Sequence, residues 1–363
     1  MLLYNKYRPR LLTDLVGQNI NSKILKNIVD SGQIRPSYMF IGPKGTGKTT
    51  SARILAKMIN CEKGISSTPC LECENCLSIE NGSSVEVREI DAASHNGVDD
   101  IRAINEEVNF SSLGSRFKVW ILDEAHMLTR QAWNAFLKNL EEPPPNTIFI
   151  ICTTEANQIP ETVRCRCLRF NFSKISETDT FNFLKMVCDK EEVQYEDNAL
   201  KIISKNSKGG LRDALTDLEK IIIASDNFTV TEALASQISM TLGYKVVFYL
   251  AKSILDQSMK NVLLITQGMD KTNIQVGPVL DELITLLHSV YSYQILKNDN
   301  VLLYVPAEQR ESVVNLCNEF DNNKLAKTIT TLSECYRMLA YNPNPRYYFD
   351  VAMHKAMCEY SMG

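Results

Sequence analysis

Five short apolar runs punctuate the first half of the chain, at Tyr38–Ile41, Val85–Ile90, Phe117–Leu122, Thr147–Cys152 and Cys167–Phe172. Most are separated by stretches whose apolar residues recur at helical spacing, among them Thr49–Ile59, Asp99–Val108 and Thr129–Leu140. Strands alternating with helices predict an α/β domain whose mostly parallel sheet is covered on both faces. The run at Thr147 is nearly all apolar, as a strand buried on both sides must be. Pro143-Pro144-Pro145 reads as a stiff turn leading into it. From about Ser173 the pattern changes to helices only. Phe181, Leu184, Met186 and Val187 mark one, and Leu200, Ile203, Leu211, Leu215, Leu218 and Ile222 mark others. A last helical block begins near Met240, with Val279–Leu296 as its longest amphipathic stretch. No proline falls between Pro160 and Pro278 to interrupt these helices.

At 363 residues the chain has room for two or three domains. Its 44% hydrophobic and 23% charged residues exclude a disordered or fibrous protein. A net charge of −4 excludes a uniformly basic one, so any nucleic-acid contact must come from local patches. No apolar run approaches the ~18 residues of a membrane span, and the first residues lack a signal-peptide core. The expectation is a cytoplasmic protein with no membrane partner. Its eleven cysteines then stay reduced or bind metal.

The strongest chemical signal is Gly42-Pro43-Lys44-Gly45-Thr46-Gly47-Lys48-Thr49, which fits G-x-x-x-x-G-K-[ST] between an apolar strand and a helix. Glycines let backbone N–H groups wrap phosphates, and the helix N-terminus adds partial positive charge. Lys48 then holds the β- and γ-phosphates and Thr49 the Mg²⁺, with Thr50 following in the same site. Downstream, Val119-Trp120-Ile121-Leu122-Asp123-Glu124 is an apolar strand ending in two acids. Placed beside the P-loop strand, Asp123 orients Mg²⁺ and Glu124 polarises the attacking water as general base. Acids at strand ends also serve as caps of following helices. Asp123-Glu124-Ala125-His126 mimics a helicase box too, but the helical second half offers no second motor lobe.

Cys61, Cys70, Cys73 and Cys76 place four thiols within a short turn-rich segment. Four soft ligands suit tetrahedral Zn²⁺ with no open position, hence a structural site. An iron–sulfur cluster is the rival, but the C-x₃-C-P continuation it expects is missing. Cys152, Cys167, Cys188, Cys317, Cys335 and Cys358 read as small buried hydrophobes, and Met39, Trp133 and Phe136 as core. His95 and His126 receive no chemical role.

Further stretches accompany these motifs: Tyr7-Arg8-Pro9, Val16-Gly17-Gln18, Glu89-Ile90-Asp91-Ala92-Ala93-Ser94, Arg116-Phe117-Lys118-Val119, Leu137–Pro143 and Leu211-Arg212-Asp213-Ala214. Together they resemble the gamma/tau ATPase subunits of the bacterial DNA polymerase III clamp loader, a family of AAA+ proteins, densely over residues 1 to about 225. The resemblance implies Thr154 as sensor 1 at the end of the fourth strand and Arg212 as sensor 2 from a helical lid. It implies Tyr7, Arg8, Pro9 and Val16 beside the adenine, and it also favours zinc at the four cysteines. Arg166-Cys167 resembles the family's Ser-Arg-Cys motif, with Cys165 where the family has serine. Arg166 would then act in the neighbouring subunit's ATP site. By position, Arg102 and Arg130 are the candidates for DNA phosphate contact, ahead of Lys138.

The implied architecture is an AAA+ P-loop core with a parallel five-stranded sheet and a zinc module (about 61–76) over 1–174. A helical lid over 175–239 and an all-helical oligomerisation collar over 240–363 follow. The implied function is ATP-driven loading of a sliding clamp onto primer–template DNA, alongside other loader subunits and the polymerase core, with ATP, Mg²⁺ and Zn²⁺ as cofactors. A non-hydrolysing scaffold subunit is one rival, opposed by intact Lys48, Thr49, Asp123 and Glu124. A branch-migration motor is another, opposed by the cysteine module and Arg166-Cys167.

Overall fold

In the computed structural model, residues 2–108, 114–225, 228–238, 244–271, 274–298, 310–339, 342 and 344–362 are described. The chain divides into two compact units, residues 1–235 and 236–363.

The first unit is built on five parallel strands, β1 (Ser37–Ile41), β2 (Val87–Asp91), β3 (Lys118–Asp123), β4 (Thr147–Thr153) and β5 (Leu168–Asn171). Their order is β2-β3-β4-β1-β5. All seven residues of central β4 are buried, whereas the edge strands β2 and β5 alternate or lie open. Successive side chains of a strand point to opposite faces, so β4 feeds two cores. Ile148, Ile150 and Cys152 join Leu25, Phe40, Ile54, Leu55 and Met58 on one face. Phe149 and Ile151 join Ile101, Trp120, Trp133 and Phe136 on the other.

The helices that begin in this unit are α1 (Leu3–Lys6), α2 (Asn19–Asp30), α3 (Lys48–Asn60), α4 (Glu74–Asn81), α5 (Val98–Val108), α6 (Arg130–Glu141), α7 (Glu161–Arg164), α8 (Glu177–Lys190), α9 (Asp197–Asn206), α10 (Leu211–Ala224) and α11 (Glu232–Ile238). Thr129 caps α6 by accepting the Ala132 N–H, which fixes where the helix after β3 begins. Helices α8 to α10 pack together in this unit, on Leu184, Val187, Leu200, Ile203, Leu215 and Leu218.

The second unit contains, among the described residues, α12 (Tyr244–Leu255), α13 (Met259–Lys271), α14 (Val276–Leu296), α15 (Arg310–Glu319), α16 (Asn322–Leu339) and α17 (Pro345–Met362). They share one apolar core through Leu250, Leu283, Leu287, Leu316, Leu332, Phe349 and Met353. Among the described residues, no helix is long and apolar enough to cross a membrane.

Three expectations need correction. The stretch after Ser173 is not helical throughout: β6 (Gln194–Tyr195) and β7 (Thr229–Val230) form a two-residue parallel ladder, too short to give an alternating pattern. The strand of Asp123 is not beside the P-loop strand, because β4 lies between β3 and β1. Cys358 is only half-buried on α17, whereas Cys152, Cys167, Cys188, Cys317 and Cys335 are buried.

Candidate active site

The P-loop leaves β1 at Gly42, where no side chain fits: a Cβ would lie 2.3 Å from the Phe172 carbonyl oxygen. Gly47, at φ +97°, makes the left-handed turn that starts α3. Lys48, only 6% exposed, donates from Nζ to the carbonyls of Gly42 and Pro43, both at 2.8 Å. Burial lowers its pKa, with Cys152, Glu124 and Asp123 opposing the shift. A buried ammonium is a strong site for an anion, which restores the solvation it lost.

Although β4 separates their strands, Thr49 and Asp123 meet. The first turn of α3 carries Thr49 Oγ1 to 2.7 Å from Asp123 Oδ2, to which it donates. Asp123 Oδ1 accepts the Glu124 N–H at 2.9 Å. Glu124 has left-handed backbone, φ +45°, and its Oε1 lies 3.7 Å from the exposed Lys44 ammonium. Hydroxyl and carboxylate oxygens are the hard donors Mg²⁺ prefers, so this pair fits that cation.

These groups line a cavity of about 540 Å³ with Lys44, Gly45, Thr46, Gly47 and Thr50. Tyr7, Arg8, Pro9 and Val16 line it as well. The helix carrying Arg212 closes on the P-loop: Leu211 N–H donates to the Gly45 carbonyl at 3.1 Å, and the Arg212 guanidinium stacks 5.0 Å over the Tyr4 ring. Segment α1 is tied to the same helices by Leu3 N–H on Glu219 and by Lys6 and Tyr7 on Glu191. Burial and the Glu191 carboxylate raise Tyr7 to about 12, so it is a neutral donor. Arg8 is pushed down by burial, with Arg53 and Arg212 adding repulsion.

Several expected residues lie elsewhere. Gly42 and Pro43 contribute carbonyls to Lys48 rather than cavity wall. Thr154 is half-buried just past β4 and does not line the cavity, whereas its neighbour Thr153 is fully buried. Arg166 lies outside the cavity, donating to Glu141 Oε1 at 2.7 Å and to the Thr162 carbonyl. Arg102, paired with Asp99 at 3.0 Å, and Arg130 are exposed on the adjacent helices α5 and α6. Tyr4, Asn5, Leu15, Glu89, Ile175, Phe183 and Leu215 also line the cavity. They come from segments far apart in sequence, and apart from Glu89, which opens the Glu89–Ser94 stretch, none carries a motif that would announce it. His126, to which the sequence assigns no role, has its Nδ1 3.7 Å from Glu124 Oε2 and 3.3 Å from Thr153 Oγ1.

The four cysteines converge at the other end of α3. The sulfurs of Cys61, Cys70, Cys73 and Cys76 all lie within 4.8 Å of one another. Backbone N–H groups of Cys70, Cys73 and Cys76 point at the sulfurs of Cys61, Cys70 and Cys73, at 3.3–3.5 Å. Amide donation, first from Glu72, pulls the Cys70 thiol down to about 6, while burial raises that of Cys76. Donors aimed at sulfur stabilise thiolate, the ligand form, so this cluster is compatible with Zn²⁺. Arg116 clamps the Cys61 carbonyl from the start of β3. By elemental analysis the wild-type chain is expected to carry one zinc ion, and the variant with Cys70 and Cys73 replaced by serine none. The melting temperature should fall by on the order of 5–10 °C, as loss of a structural site implies. Zinc-free wild-type protein with the full melting temperature would remove the structural role.

Comparison with known proteins adds the lineage. A family profile described as DNA polymerase III, delta subunit, matches residues 17–176. One described as RCF1/5-like, AAA+ ATPase lid domain, matches 182–223. The chain is 36% identical over 366 residues to DNA polymerase III subunit tau of Bacillus subtilis, matching 99% of this chain and 63% of that one. It is 38% identical over 289 residues to DNA polymerase III subunit gamma of Buchnera aphidicola subsp. Schizaphis graminum, covering 80% and 79%. The chain thus spans less than two thirds of the Bacillus relative. Among solved structures, the Thermotoga maritima RuvB Holliday junction branch migration motor aligns at 18% identity and a TM-score of 0.49, over 69% of this chain and 79% of that one.

Proposed function

Because this chain belongs to the DNA polymerase III gamma/tau family, we propose that it is an ATP-driven clamp-loader subunit that opens a sliding clamp and places it on primed DNA. The observation that carries the reading is the single cavity in which Lys48, Thr49, Asp123 and Glu124 face Arg212 on α10. Lys48 and the P-loop N–H groups hold the phosphates. Thr49 and Asp123 are the groups that would hold Mg²⁺, which supplies charge neutralisation at the β- and γ-phosphates. Glu124 takes the proton of the attacking water, and Thr154, outside the cavity in this structure, would have to turn toward it to read the γ-phosphate.

Arg212 couples nucleotide to the lid, since its helix is hydrogen-bonded to Gly45. Tyr7, Arg8, Pro9 and Val16 flank the base. Arg166, outside its own chain's cavity, serves the site of the next subunit. In this reading 1–174 is the motor core, 175–239 the lid and 240–363 the collar that joins other loader subunits in the cytoplasm. Arg102 and Arg130 meet DNA phosphates, contacts that position without reading sequence.

The test is the ATPase rate of the full chain in its assembly, with and without sliding clamp and primed DNA. The rate is expected to rise when both are added. A lone chain that hydrolyses ATP at full speed, indifferent to clamp and DNA, would sink the reading.

A further inference from the structure

The carboxylate of Glu124 has two unlike surroundings. Oε1 faces the cavity side, with the Lys44 ammonium at 3.7 Å and the Lys44 side chain 77% exposed. Oε2 is enclosed, makes no hydrogen bond, and has His126 Nδ1 at 3.7 Å. His126 sits in the 3₁₀ turn Ala125–Met127 that follows β3, with its side chain only 11% exposed. The same Nδ1 lies 3.3 Å from Thr153 Oγ1, at the buried end of β4.

The Thr153 hydroxyl, which can donate or accept, leaves the direction open, and the Glu124 carboxylate decides it. Thr153 Oγ1 already accepts the Glu155 N–H at 3.0 Å. A lone pair on Nδ1 would face the Glu124 carboxylate and repel it. A proton on Nδ1 satisfies both oxygens, so the ring donates. The Thr153 carbonyl in turn accepts the Gly42 N–H at 3.1 Å. Because β4 lies between β1 and β3, Thr153 is the residue through which the first glycine of the P-loop and the base-bearing turn are held in register.

We propose that His126 is a positioning residue for Glu124: its Nδ1–H, shared between Thr153 Oγ1 and Glu124 Oε2, fixes the carboxylate so that Oε1 is the oxygen left to take the proton from water. The 3.7 Å separation exceeds hydrogen-bond length by less than an ångström, so the proposal requires the glutamate to move by that much toward the ring. This inference rests on the reading of Glu124 as general base. A base turned away from its water loses the advantage of alignment, on the order of 10- to 100-fold.

The experiment compares H126L, H126N and E124Q in the full chain, by single-turnover hydrolysis and by ATP affinity. Asparagine can present an amide N–H where Nδ1–H stood; leucine cannot. H126L is expected to slow hydrolysis on the order of 10- to 100-fold with ATP affinity unchanged. H126N should recover most of that loss, and H126L added to E124Q should cost nothing further. Wild-type hydrolysis by H126L, with E124Q inactive, overturns the proposal alone. So does an H126N as slow as H126L, or a loss of ATP affinity in step with rate, which would mark a structural residue. Normal turnover by E124Q overturns the base assignment itself, and the proposal with it.

Discussion

Glutamine at position 124 is expected to leave ATP bound and nearly stop its hydrolysis. The phosphate grip is made by the P-loop backbone and by Lys48, whose ammonium is held by the Gly42 and Pro43 carbonyls rather than by Glu124. The contacts of that grip are kept when a carboxylate becomes an amide of the same shape; Lys48 loses only the Coulombic support of Glu124, with Asp123 still in place. The left-handed backbone at 124 is kept as well, so the turn after β3 has no reason to move. What disappears is the group proposed to accept the proton of water, worth on the order of 10²–10⁴ in rate. Loss of the negative charge also removes a partner of Lys44, an exposed contact too weak to alter stability. Single-turnover hydrolysis beside an ATP-binding titration separates the two effects. Near-normal turnover would remove Glu124 as base, and lost binding would mean that the carboxylate shapes the cavity instead.

The parts of this site that were legible in the sequence are those whose chemistry is local. Gly42 to Thr49 carry their own strand, turn and helix signals, and Asp123-Glu124 sits at the end of an apolar strand. The four cysteines needed only their spacing. The strands were legible because β4 and its neighbours are buried on both faces, which leaves almost no polar residue to blur them. Strand order was not. Neither β1 nor β3 records that β4 lies between them, because that order comes from how the connecting helices pack, not from any residue in the strand. The same insertion explains why Thr153 and His126 were passed over. Their meeting requires the end of β4 to lie against the turn after β3, and no periodicity encodes it. The lid side of the cavity was hidden for a related reason. Ile175, Phe183 and Leu215 look like ordinary core positions of α8, α10 and their approach, and only folding turns them toward the P-loop.

Alanine at position 166 separates a site owned by one chain from a site shared by two. Arg166 lies outside its own chain's cavity, so the affinity of the isolated chain for ATP should be unchanged. Its guanidinium reaches Glu141 and the Thr162 carbonyl and stays partly exposed, at 34%. An exposed ion pair of this kind contributes about 0–1 kcal/mol, so the variant should melt close to the wild type. If the arginine enters the ATP site of the next subunit, the assembled ATPase loses the charge that offsets the developing negative γ-phosphate. That loss is on the order of 10³–10⁵ in rate. Lysine at 166 should recover only part of it, because a point charge lacks the planar fork that a phosphate accepts. The measurement is ATP hydrolysis by the assembly beside ATP binding by the single chain. Weakened binding in the single chain would place the arginine in its own site, and an unaffected assembly would leave Arg166 as no more than the partner of Glu141.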